Sequence, residues 1–155
     1  GLPVGVYGGK AEYMRAISPL GPVYQAGTLS GNPLATAAGL KTLEILARDG
    51  VFAAAETAAA RLEAGLNAVL SETGTVGTVS RVGTMLTLFF ADQAPNNFGE
   101  VQQCDHEGFG AFHRAMLDRG VYLPPSGYEA WFVSAAHTED DIDRTVDAAR
   151  SVLTR

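Results

Sequence analysis

Tyr24-Gln25-Ala26-Gly27-Thr28-Leu29-Ser30-Gly31-Asn32-Pro33 places two hydroxyls, Thr28 and Ser30, and a flexible glycine backbone directly before a long apolar-periodic run. Amides at the start of a helix have no intrahelical partner, and with these hydroxyls they form a donor set able to hold an anion such as phosphate. The same residues also read as an N-cap box for the helix that follows. Pro33 suits a first helical turn. Leu34, Ala37, Ala38, Leu40, Leu43, Ile45 and Leu46 then supply an apolar face at three- and four-residue spacing until Asp49-Gly50 stops it.

Upstream of this stretch, glycines cluster at Gly1, Gly5, Gly8, Gly9 and Gly21. Gly5-Val6-Tyr7-Gly8-Gly9 fails both dinucleotide-binding and Walker spacing, so the opening reads as a glycine-rich strand crossing a crowded spot. The chain opens on Gly1-Leu2-Pro3 with no initiator methionine, and the expectation is a piece of something longer. Downstream, an Ala-rich helix is predicted from Val51 to about Leu70, with Arg61, Glu63 and Asn67 on its wet side and Thr73-Gly74 as its end. β-branched residues then mark a strand over Thr75–Val79 and a well-buried one over Met85–Phe90. Asp92–Glu100 reads as a surface loop and His106–Asp118 as a helix capped at Gly120. Short strands are expected at Val121–Leu123 and Trp131–Val133, and a final helix N-capped at Thr138 runs to near Arg155. From residue 75 the order strand, strand, helix, strand, strand, helix predicts an α+β layer with its helices on one face of a small sheet.

Composition limits the partners. The 155 residues are 46% hydrophobic and 18% charged, which argues against disorder, and no run approaches the ~20 apolar residues of a membrane span. A net charge of −6 supplies no basic field for nucleic acid or anionic lipid. The lone Cys104 cannot form an internal disulfide, and with no targeting pattern at the start a reducing, cytosolic setting is expected.

Few side chains offer chemistry by pattern alone. His106, His113 and His137 are far apart, and Cys104-Asp105-His106 is an unsupported cluster, so no metal site is expected. Cys104 has no basic neighbour to activate it and reads as an incidental thiol. Glu129, between Tyr128 and Ala130, reads by itself as a solvated loop acid.

Three stretches together carry a resemblance that covers the whole chain: Gly1-Leu2-Pro3-Val4-Gly5-Val6-Tyr7-Gly8-Gly9, the run Gly21 to Ala35, and Ala136-His137-Thr138-Glu139-Asp140-Asp141-Ile142-Asp143. They resemble the glutamate-1-semialdehyde aminomutases, a branch of the class-III, fold-type-I aminotransferases, and Ser126-Gly127-Tyr128-Glu129-Ala130 points to that branch. The resemblance implies an α/β fold: residues 1–74 would be the end of a large cofactor-binding domain with connecting helices, and residues 75–155 a small α+β C-terminal domain. It implies a cytoplasmic homodimer with shared active sites. Its cofactor would be pyridoxal 5'-phosphate (PLP), cycling through pyridoxamine 5'-phosphate (PMP). The enzyme would move an amino group between adjacent carbons of glutamate-1-semialdehyde to give 5-aminolevulinate, the tetrapyrrole precursor, the ring serving as an electron sink. Gly27 and Thr28 would reach the cofactor phosphate of the other subunit, with Tyr24 close by. Glu129 would stand in the substrate cleft, where most class-III aminotransferases use an arginine. The Schiff-base lysine is expected a few residues upstream of Gly1, since Lys10 and Lys41 do not match its place. No catalytic base is therefore expected in this chain, and the chain alone is expected to be inactive. A class-III ω-amino-acid aminotransferase and a non-catalytic α+β interaction domain are the alternatives.

Overall fold

The computed structural model describes residues 2–154. Gly1, the first residue of the glycine-rich opening, and Arg155, near which the last helix is predicted to end, lie outside them. The chain divides into two compact units, one up to Arg48 and one from Asp49.

In the first unit a short helix α1, Ala11–Met14, precedes an isolated parallel bridge between Ile17 and Val23. The helix α2, Pro33–Leu46, begins where Asn32 and Pro33 predict it. Its apolar face differs from expectation, because Ala35 is its one buried residue while Leu34, Leu40, Leu43, Ile45 and Leu46 are exposed. The expected strand over the first nine residues is also absent among those described. A Cβ at Gly5, Gly8 or Gly9 would meet nothing within 4 Å, so these glycines do not answer a crowded spot.

The second unit holds the core. The 23-residue helix α3, Val51–Thr73, begins after Gly50 and ends at Gly74, both with positive φ. Strands β1, Thr78–Val82, β2, Met85–Phe89, and β3, Trp131–Phe132, form an antiparallel sheet in the order β1-β2-β3. Between β2 and β3 come a one-turn helix α4, Phe98–Val101, and the helix α5, His106–Leu117; helix α6, Glu139–Leu153, closes the chain. Leu86, Leu88 and Trp131 bury one sheet face with Leu62, Leu66 and Val69 of α3, Phe109, Phe112 and Met116 of α5, and Ile142, Val146 and Ala149 of α6. Helix α3 packs on the sheet of the second unit.

Three local expectations are corrected. The first strand starts at Thr78 in place of Thr75, because the Thr75 amide is spent on the Leu70 carbonyl in the turn that ends α3. Val121–Leu123 forms no strand, because the Val121 amide bonds Met116 O and the Leu123 carbonyl bonds His113 Nε2 at 3.1 Å. The predicted loop over Asp92–Glu100 holds the start of α4, because Asn97 caps it and is itself bonded to Glu100. Arg61 and Glu63 are more than a wet side: Arg61 pairs bidentately with Asp143 of α6 at 2.8 and 2.7 Å, and Glu63 with Arg81 of β1 at 2.6 Å.

Candidate functional site

The N-cap reading of the loop before α2 holds, with Asn32 in place of a hydroxyl as the capping residue. Asn32 is the N-cap, its Oδ1 accepting from the Leu34 and Ala35 amides at 3.0 and 3.1 Å, so neither Thr28 nor Ser30 is needed for capping. Residues Gly27 to Asn32 fold into a tight turn with Ser30 N on Gly27 O at 2.9 Å and Asn32 N on Leu29 O at 3.1 Å. Among the described residues, the hydroxyls of Thr28 and Ser30 and the amides of Gly27, Thr28 and Leu29 make no hydrogen bond, and all of these residues are exposed. A Cβ on Gly27 would lie 2.9 Å from Ser30 Oγ, so glycine keeps that side of the turn open. Tyr24, 82% exposed, stands three residues before it.

Pro3–Tyr7, Gln25–Gly27 and Leu29–Asn32 line one recess of about 710 Å³, floored by Ala35 and Thr36 of α2. A Cβ on Gly39 would lie 3.3 Å from Val4 Cγ1, so the missing side chain there lets the N-terminal segment lie close against α2. No motif places Pro3–Tyr7 beside the Gly27 turn; the glycine density the two segments share is the signal that links them.

In the second unit, Glu129 ends a tight turn. Glu129 N donates to Ser126 O at 3.1 Å, Tyr128 N to Ser126 Oγ at 3.2 Å, and Ser126 N to Glu129 Oε2 at 3.2 Å. Thr87 Oγ1 of β2, a buried residue, donates to the Glu129 carbonyl at 3.4 Å. Glu129 is exposed, and its Oε1 makes no hydrogen bond among the described residues. Gly27 and Thr28 thus share one turn, Tyr24 precedes it in the same unit, neither Tyr24 nor Thr28 lines the recess, and Glu129 belongs to the other unit.

The thiol of Cys104 is pushed up by burial, the opposite of activation. Among the described residues, no three His, Cys, Asp or Glu side chains gather as a metal group, and no helix is long and apolar enough to cross a membrane.

Helices packed on an antiparallel sheet make the second unit a mixed helix-and-strand layer, and the turn ahead of α2 leaves hydroxyls and amides without partners among the described residues. The chain matches the class-III aminotransferase family over residues 1–151, and it belongs to that family. The family is PLP-dependent. The chain is 54% identical over 153 residues to the glutamate-1-semialdehyde 2,1-aminomutase of Thermomicrobium roseum, covering 99% of this chain and 36% of that protein. It spans about 36% of the length of the curated relatives it matches. Among solved structures, a glutamate-1-semialdehyde-aminomutase from Pseudomonas aeruginosa PAO1 in complex with PMP superposes with a TM-score of 0.73 at 30% identity, over 83% of this chain and 28% of that one. An ω-transaminase from Sphaerobacter thermophilus gives a TM-score of 0.75 at 26% identity, over 94% of this chain and 34% of that one.

Proposed function

We propose that this chain works as the C-terminal part of a PLP-dependent aminomutase that converts glutamate-1-semialdehyde to 5-aminolevulinate in the cytoplasm, on the route to tetrapyrroles. The observation that carries the reading is the 54% identity, along nearly the whole chain, to a protein of that name. Within the longer enzyme, residues 1–74 close the large domain with connecting helices and residues 75–155 form the small domain.

The donor set fits the phosphate of PLP. The Thr28 hydroxyl and amide, with the Gly27 amide, offer hydrogen bonds to a dianion at a turn kept open by glycine, and Tyr24 flanks it. When bound, the cofactor supplies an electron sink for charge that develops on substrate carbon. The residues of this chain hold and orient. We read the exposure of the Gly27 turn as serving the active site of a second subunit, so that the working form is a homodimer with shared sites. Exposed Leu34, Leu40 and Leu43 on α2 support a role against further protein surface. Glu129 presents a carboxylate to the substrate, which suits a substrate carrying an amine and an aldehyde and repels a second carboxylate.

The lysine that anchors the cofactor belongs, in this reading, to the longer protein. Lys41 is engaged with Glu44 at 3.1 Å, and Lys10 precedes α1. In this reading the 155-residue chain alone turns over no substrate. The second reading, an ω-amino-acid aminotransferase, is favoured by the wider superposition on the Sphaerobacter enzyme. The test is the full-length enzyme in its pyridoxamine form, given glutamate-1-semialdehyde and no amino donor. Multiple turnovers to 5-aminolevulinate, weakened by Glu129→Gln, support the aminomutase. Turnover that requires an added donor and yields a keto acid supports the aminotransferase.

A further inference from the structure

Glu129 lies on neither a helix nor a strand, so the side chains around residues 126–130 must fix where its carboxylate stands. Gly127, Tyr128 and Glu129 follow one another along the turn, and the first two rest on His106 at the start of α5. The His106 and Tyr128 rings are stacked, with centroids 4.2 Å apart and planes 16° from parallel. Phe98 of α4 lies against Tyr128 at 5.9 Å. Gly127 is buried, and a Cβ there would lie 2.9 Å from His106 Nδ1 and 3.3 Å from Phe109 Cγ, so the turn backbone is pressed on the edge of the imidazole.

The imidazole is itself fixed. Its Nε2 lies 2.8 Å from the Val101 carbonyl, which can only accept, so this nitrogen carries the hydrogen. Asp105 beside it caps α5 by accepting from Gly108 N at 2.8 Å. The ring therefore connects two anchored elements, α4 and α5, to one exposed turn. A role confined to the core does not explain this placement, since Tyr128 remains 50% exposed.

We propose that His106 is a positioning residue for substrate recognition: by stacking on Tyr128 and backing Gly127, it holds the turn so that Glu129 Oε1 is presented to the substrate while Oε2 caps the Ser126 amide. This inference rests on the reading of Glu129 as a substrate residue. The aromatic rings act on the turn and not on the reacting atoms, so their loss displaces the carboxylate without removing it.

The experiment uses the full-length enzyme and compares kcat/KM for glutamate-1-semialdehyde with hydrogen exchange across residues 126–130. His106→Leu and Tyr128→Leu each lower kcat/KM about 5- to 20-fold, less than the ~100-fold that a 1 Å misplacement can cause. Exchange quickens across 126–130 and is unchanged in α3 and α6. Tyr128→Phe, which keeps the ring, recovers most of the activity lost in Tyr128→Leu. In a Glu129→Gln background, His106→Leu costs less than about twofold, because two changes acting through one contact do not add. Full additivity of His106→Leu with Glu129→Gln overturns the positioning role and leaves the Glu129 reading intact. A Glu129→Gln enzyme with unaltered kcat/KM overturns that reading and the proposal with it. Tyr128→Leu, at a half-exposed position, carries the same test if His106→Leu does not fold.

Discussion

Thr28 and Ser30 show how one residue can leave two readings open until its neighbour is placed. With Asn32 capping α2, the hydroxyl of Thr28 is free for a ligand, and in the full-length enzyme Thr28→Ala should weaken cofactor binding by ~1.5–3 kcal/mol, the range for a hydrogen bond to a charged group. A fluorescence titration of the apoenzyme with PLP measures this; Thr28→Ser should restore binding, and an unchanged Kd for Thr28→Ala would remove the residue from the site. The capping box of α6 yields a second prediction. The Thr138 hydroxyl and amide donate to Asp141 Oδ2 at 2.7 and 2.9 Å and hold its carboxyl below the usual aspartate range. Arg61 does the same to Asp143. A carboxylate whose folded pKa is depressed stabilises the fold fully above its unfolded value of about 3.9, and that stabilisation is lost as pH falls through the lower folded value. Stability of the chain should therefore decline in acid below about pH 4. Asp141→Asn should flatten that decline in urea titrations run at a series of pH values, whereas an unaltered acid slope would mean that the box is not formed.

Among the elements, those with punctuation at both ends were legible from sequence. Asn32-Pro33 opens α2, which ends at Leu46 short of Asp49-Gly50, and Gly50 and Gly74 bound α3, each a residue whose backbone preference acts locally. The strands were less legible, because Thr75, Val76, Thr78 and Val79 are equally β-branched. What selects Thr78 as the start is the turn that ties the Thr75 amide to Leu70, together with the pairing of Thr78 with Phe89 and the close approach of Gly77 to Leu70 and to the Phe89 carbonyl. Val121–Leu123 failed as a strand for a related reason, since α5 claims its backbone groups before any ladder can. The site followed the same division. The Gly27 turn was visible as a motif, whereas the support of Glu129 by His106 joins residues more than twenty positions apart. At the contact of α3 with α6, Gly65 is pressed on Val146, whose methyl groups a Cβ would strike. Helix propensity alone favours Gly65→Ala by ~1 kcal/mol, but overpacking a stiff β-branched neighbour costs about 1–3 kcal/mol, so the substitution should destabilise. Adding Val146→Ala should return part of the loss. Chemical denaturation of the single and double variants checks both signs, and a stabilised Gly65→Ala would show that the helices can part without cost.

Across the whole molecule, the two units differ in kind. Among the described residues, the second encloses a core of sixteen buried residues from three helices and two strands with Leu123 and Val133, while in the first Ala35 is the buried hydrophobic residue and Val6, Leu20 and Tyr24 are largely exposed. A unit with so little interior of its own is suited to act against other protein surface, in keeping with a chain that spans about 36% of its relatives' length. In the proposed function the longer enzyme moves nitrogen within its substrate and does not import it. The most direct measurement supplies the full-length enzyme with unlabelled glutamate-1-semialdehyde in the presence of ¹⁵N-labelled glutamate and alanine, and determines the isotope content of the 5-aminolevulinate by mass spectrometry over many turnovers. The 5-aminolevulinate should carry nitrogen at natural abundance and form at the same rate whether or not the amino acids are present. Product carrying the donor's ¹⁵N, formed only when a donor is present, would contradict it and identify the enzyme as an aminotransferase.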